Sequence, residues 1–197
     1  MIPATENGPA LWETIINPIA AAYGCPAIIA GGAVRDHLLG VDAKDIDVFV
    51  DVASIHDLEA EIAALAEAGF DLEPMDHTEY EDAPDWVDAV RGVLDGNFRG
   101  YPLQIIARPS ACFTGSRLVE KFDLAITQCW FDGEVHDTAA AAKDRAERTA
   151  TVTRWNSPAH VAVTYARFER FNQRQQSPFR LVDNRPEFLS AGSEVTF

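Results

Sequence analysis

The sequence predicts an α+β protein on three observations. Short apolar or alternating runs have strand length, longer stretches carry apolar residues at helical spacing, and a glycine pair separates one strand from one helix. Taken in order, residues 1–10 are rich in Pro, Gly and Asn and read as a loose leader. In 11–23, Leu11, Trp12, Ile15, Ile16 and Ile19 form a helical stripe that covers the sheet, and Pro18 predicts a kink or a new start. Residues 27–30 (AIIA) read as a buried strand, broken by Gly31-Gly32 before a short helix with Val34, Leu38 and Leu39 on one side. After Gly40 the run 45–50 (DIDVFV) alternates like a strand with one wet face. Ser54 caps a helix to about Ala68 with Ile55, Leu58, Ile62 and Leu65 inward, Gly69 stops it, and 70–72 reads as a short strand.

The middle of the chain is denser in acid. Residues 74–100 read as an insertion holding a helix over 84–94, with Trp86, Val90, Val93 and Leu94 as its buried side, and 97–100 as a turn. Residues 103–107 read as a core strand ended by Arg108-Pro109, and Asp123 starts the next strand within 121–127. A helix over 138–148 is followed by an edge strand in 149–155, and Ser157-Pro158 opens the last strong helix, with Val161, Tyr165 and Phe168 on its apolar side. Arg167, Arg170 and Arg174 make a basic stripe there, and the chain from Ser177 reads as an extended tail or a small closing element.

The 197 residues suffice for one full-sized domain, and 47% hydrophobic with 24% charged residues exclude a wholly disordered chain. A net charge of -15 disfavours strong non-specific binding of nucleic acid, so an RNA partner has to meet a local basic patch. Cys25, Cys112 and Cys129 are odd in number and lack CxxC spacing, which argues for a reducing compartment and against zinc. His77 lies near Asp76 and Glu79 without a second His or Cys, the pattern of a solvated side chain more than of a ligand. The acidic, proline-bearing start and the lack of a membrane-length apolar run predict a soluble, cytoplasmic protein with no membrane partner.

Chemistry concentrates in 27–50. The glycine pair lets a bulky anion approach the backbone and the first N–H groups of the helix behind it, so a triphosphate fits. Period two puts Asp45 and Asp47 on one face, roughly 6–7 Å apart along the strand, where they can share hard cations. Magnesium suits their oxygens and a phosphate.

Gly31-Gly32-Ala33-Val34-Arg35-Asp36, Leu38-Leu39-Gly40 and Lys44-Asp45-Ile46-Asp47 together resemble the head domain of the DNA polymerase β-like nucleotidyltransferases, most closely the poly(A) polymerase and CCA-adding branch. The resemblance implies the polymerase β-like nucleotidyltransferase fold, a small mixed sheet flanked by helices and followed by a C-terminal helical segment. It divides the chain into a head over 1–137, with the acidic insertion at about 74–100, and a neck-like helical segment and tail over 138–197. It also implies an Mg2+ or Mn2+ enzyme moving NMP from an NTP, ATP or CTP first, to a hydroxyl on an RNA 3′ end, a protein or a small molecule, with release of pyrophosphate.

Residue by residue, the resemblance makes Asp45 and Asp47 the catalytic metal ligands, assigns Gly31, Gly32, Arg35 and Lys44 to the nucleotide, and leaves Asp36 to brace the loop. A third carboxylate is expected on a neighbouring strand. Residues 103–107 offer only Gln104, so the expectation moves to Asp123 in Lys121-Phe122-Asp123-Leu124-Ala125-Ile126-Thr127, similar to the Arg-Arg-Asp-Phe-Thr-Ile-Asn segment of the CCA-adding branch but without its arginine pair. Tyr165-Ala166-Arg167-Phe168 is similar to the neck helix of that branch and assigns Arg167 to the triphosphate, although Thr164 replaces the arginine expected one turn earlier. The chain lacks room for the body and tail of a CCA-adding enzyme and a well-placed Glu-Asp-x-x-Arg template, which points away from CCA synthesis. A nucleotide-binding or regulatory module of toxin–antitoxin or phage type, keeping the fold without turnover, is the alternative.

Overall fold

In chain order the structure, a computed structural model, contains α1 (Pro9–Tyr23), β1 (Ala27–Ala30), α2 (Gly32–Leu39), β2 (Ile46–Val50), α3 (Ile62–Glu67), β3 (Phe70–Pro74), β4 (Gly92–Phe98) and β5 (Tyr101–Ala107). There follow α4 (Gly115–Val119), a 3-10 turn (Ala125–Thr127), β6 (Cys129–Phe131), β7 (Val135–Asp137), α5 (Ala139–Glu147), β8 (Thr149–Thr151), α6 (Pro158–Asn172) and β9 (Arg180–Val182). The structure describes residues 1–53, 59–75, 90–109, 113–155 and 157–185. The expectations for Ser54, Ile55, Leu58, His77, Trp86 and Cys112 lie outside the described residues.

Seven strands form one mixed sheet in the order β3-β4-β5-β2-β1-β6-β7. Its one parallel pair is β2 with β5, where Asp47 stands beside Gln104 and Val50 beside Ala107. Alternation along these strands gives the sheet two unlike faces. Ile46, Val48, Val50, Leu103, Ile105 and Ala107 point into the main core, where Trp12, Ile15 and Ile19 of α1, Val34 of α2 and Leu65 of α3 cover them. The opposite face carries Ile28, Ala30 and Phe49, closed at one end by Leu118 and Val119 of α4. Asp47 shares that second face with Phe49, so the period that buries the core also aims the carboxylate away from it.

A second apolar cluster joins Leu124 and Ile126 to Ala150 and Val152 of the β8 region, Phe168 and Phe171 of α6, and Phe179. It seats α6 over the open face. Ser157 caps α6 by accepting from the His160 N–H at 3.1 Å, with Pro158 in the first turn. The two-stranded parallel pair β8-β9 closes the C-terminal part, the small closing element expected beyond Ser177.

Several expectations are corrected. The first ten residues are anchored: Ile2 is fully buried and bridges Ala43, and the Asn7 amide donates to the Ala33 carbonyl while its oxygen accepts from the Trp12 indole. Pro18 lies within an unbroken α1. Val93 and Leu94 belong to β4, an interior strand, so 92–98 is sheet and not insertion; aspartate and glycine had masked its period-two pattern. Leu124 makes a single bridge to Val152 and the chain then turns at 125–127, so the strand expected from Asp123 begins only at Cys129.

Candidate active site

Between the open sheet face and α6 lies a cavity of about 310 Å³. Gly31, Gly32, Arg35, Lys44, Asp45, Asp47, Asp123 and Arg167, all the expected site residues, line it. The turn from β1 into α2 is a requirement of backbone geometry. Gly31 has φ +86, and a Cβ there would meet the Phe122 ring at 3.3 Å. Its N–H is committed to the Cys129 carbonyl at 2.9 Å, and no side chain caps α2, so an anion would meet the helix's own first N–H groups, from Gly32 onward.

Asp45 and Asp47 share the cavity. Burial, reinforced by the Asp45 charge, pushes the Asp47 carboxyl well above the usual carboxylate range, while Lys44, Arg167 and Arg35 pull it back. Lys44 bonds Asp45 at 2.6 Å and is itself exposed. A buried carboxylate whose proton affinity is raised further by the acid beside it is one that a divalent cation would relieve. Magnesium binds through one or two carboxylates together with substrate phosphates and water, so this pair fits it.

Asp123, the expected third ligand, has partners of another kind. One of its oxygens accepts from the Thr164 hydroxyl at 2.9 Å and from the Arg167 guanidinium at 3.0 Å. Among the described residues no group of three or more His, Cys, Asp or Glu comes together as a metal site. Gln104, beside Asp47 in the sheet, donates to Asp95 at 2.8 Å. The arginines are held from below in the same manner. Asp36, almost fully buried, binds Arg35 at 2.7 Å and Arg174 at 3.4 Å, and Arg35 lies 4.1 Å over the Phe171 ring. Asp36 thus braces the loop and also ties α2 to the end of α6, as the sequence expected in part.

Sequence reading passed over three lining residues: Arg108, Lys121 and His160. His160 is held toward its neutral form by burial, against the pull of Asp123 and with smaller help from Arg167 and Arg154, and its Nδ1 has no partner among the described residues. The alternation that places Gln104 and Ile106 on the cavity face would have found Arg108, had the strand been counted one residue further. In all, seven of the chain's sixteen lysines and arginines line this cavity, against four aspartates.

No protein-family model matches the chain, and no curated protein does. Among solved structures, the chain is similar to the Thermotoga maritima CCA-adding enzyme complexed with tRNA, at 18% identity and TM-score 0.57, over 88% of this chain and 39% of that one. A tRNA-processing enzyme with CTP matches at 21% identity and TM-score 0.56, over 84% and 42% of the two chains. A tRNA nucleotidyltransferase with a primer tRNA and an incoming ATP analogue matches at 21% and 0.52, over 84% and 46%. The chain spans less than half the length of these structures. It has the nucleotidyltransferase fold that its motifs resemble, with a mixed seven-stranded sheet flanked by helices.

Proposed function

We propose that this chain is a metal-dependent nucleotidyltransferase that moves NMP from an NTP to a hydroxyl acceptor. One observation carries the reading: two mutually repelling carboxylates and a surplus of cations converge beside a glycine turn, on a chain whose net charge is -15. A cavity that concentrates positive charge on so acidic a protein suits a polyanion. Arg35 and Arg167, which both act on Asp47, would meet the triphosphate along with Gly32 and the start of α2. Asp45 and Asp47 would hold magnesium or manganese. The ion, once bound, supplies charge neutralisation at the phosphates and polarises the attacking oxygen.

The acceptor oxygen bonds to the α-phosphorus as the bond to the bridging oxygen breaks, pyrophosphate departs, and the hydroxyl proton passes to solvent. No protein side chain forms a covalent intermediate; orientation and charge stabilisation suffice. Asp123 acts in this scheme by fixing Arg167, not as a third ligand. ATP and CTP are the first nucleotides to try, since similar folds are known with each. The test is incubation with each labelled NTP, magnesium or manganese, and total RNA or cell extract. Label should be incorporated by the native protein and lost in Asp45→Ala plus Asp47→Ala.

A second reading rests on Gln104, a neutral amide beside Asp47 where the strand would otherwise offer a carboxylate. A nucleotide-binding or regulatory module would bind NTP saturably and incorporate nothing in the same experiment.

A further inference from the structure

Arg108 is 8% exposed, follows directly on β5, and lines the cavity, yet no hydrogen bond or ion pair is made by its guanidinium among the described residues. The charge that acts on it is another cation, Arg154, so that burial first and like charge second both oppose it. Arg154 in turn donates to the Lys121 carbonyl at 3.2 Å, and Lys121 also lines the cavity. Asp123, an acid that lines the same cavity, is already committed to Thr164 and Arg167. A buried guanidinium without a counter-charge is costly, and such a group is retained where a ligand supplies the missing charge.

Register places this group away from the glycine turn. Asp47 pairs with Gln104, and Arg108 lies four residues further along the parallel strand, roughly 13 Å by the rise per residue. β1 runs antiparallel to β2, with Ala27 beside Val50, so Gly31 lies at the opposite end of the strands. A triphosphate seated at the glycine turn and over the aspartates leaves the Arg108 end to the other reactant. Two guanidiniums that act on one another, with Lys121 in the lining of the same cavity, suit a group of about two negative charges better than a single carboxylate.

We propose that Arg108, with Arg154 and Lys121, binds a phosphate group of the acceptor, so that the hydroxyl receiving NMP belongs to a phosphorylated molecule. This rests on the nucleotidyltransferase reading for the word acceptor, but its test needs no turnover. With magnesium and a saturating non-hydrolysable NTP analogue, binding of inorganic phosphate, ribose 5-phosphate and a 5′-phosphorylated ribotrinucleotide is measured by calorimetry on the whole chain.

At least one phosphate ester should bind saturably, and Arg108→Met should weaken it about ten-fold or more, with less than about two-fold change for the analogue, the loss usual for a charged hydrogen bond. Tighter binding of the trinucleotide marks an RNA end as the source of the phosphate, and equal or tighter binding of ribose 5-phosphate marks a small molecule; either supports the proposal. Loss of analogue affinity in Arg108→Met, or no saturable binding of any probe, overturns it. Removing an unpaired buried charge should leave the thermal midpoint level or raise it. A fall of several degrees would make the residue structural and overturn the proposal too, whereas Arg108→Lys should regain part of the probe binding. Because binding alone is read, the phosphate site can fail while incorporation stands, and can stand where incorporation fails.

Discussion

At Asp47 the proposed function and the stability of the fold pull in opposite directions. Its proton affinity is raised in the folded state, first by burial and then by the Asp45 charge. The sign of the consequence follows from linkage: the native state holds a proton that the unfolded state has released, so stability is complete below the ordinary aspartate value of about 3.9 and declines as pH rises through the raised native value. In EDTA at pH 8, Asp47→Asn should therefore melt higher than the native protein, at roughly 2–4 °C per kcal/mol relieved for a chain of this size. Added magnesium should raise the native midpoint and leave that of Asp47→Asn unmoved. A scan in which Asp47→Asn melts lower in EDTA would show that the carboxylate stabilises the fold. Gly31 presents the converse case. With φ +86 and the Phe122 ring 3.3 Å from any added Cβ, Gly31→Ala should cost about 1–3 kcal/mol, the usual range for a strained backbone position, and should weaken NTP binding with it. Urea unfolding and analogue titration on the same preparation check both effects.

The strands that build the cavity floor were legible because their faces differ: AIIA and DIDVFV announce a buried strand and a half-buried one, and the glycine pair marks where the first ends. Gly92–Phe98 was not legible, since Asp95, Gly96 and Asn97 have low strand propensity and only their partners in β3 and β5 make a strand of them. Ile2 was lost for a similar reason, because its bridge to Ala43 is a contact across the chain that local composition cannot announce. Within the site the acids and the glycines could be read, but the partner of each charge could not. Asp123 was expected beside the metal, and it shares the cavity with Asp45 and Asp47, but its bonds to Thr164 and Arg167 of α6 could not be read from the sequence. Asp123→Asn should then lower stability by about 1–3 kcal/mol, the range for a buried hydrogen bond to a charged group, and weaken NTP binding through a displaced Arg167. The magnesium-induced rise in melting temperature should survive in Asp123→Asn and vanish in Asp47→Asn. Loss of that rise in Asp123→Asn would return Asp123 to the metal.

Charge is distributed unevenly over the whole chain. The excess of acid over base is 15, yet seven cations and four aspartates line a single cavity. Long-range repulsion and short-range attraction thus act on the same ligand, and salt separates them, since exposed charges more than about 8–10 Å apart are screened at physiological ionic strength while buried ones are screened much less. For a duplex that must lie along the surface of so acidic a chain, long-range repulsion opposes approach, and few phosphates can be neutralised. For an NTP that enters the cavity, the attraction of Arg35, Arg167 and Arg170 dominates once it is inside. Raising salt from about 50 to 200 mM should therefore weaken NTP-analogue binding only a few-fold, whereas six to ten phosphate contacts on duplex DNA would cost about 10³–10⁵ in affinity over that range. Random duplex DNA should show no saturable binding at either salt, measured by fluorescence anisotropy beside the labelled analogue. Saturable duplex binding with a steep salt slope would reveal a basic surface outside the cavity and would remove the reason for confining the acceptor to the cavity's far end.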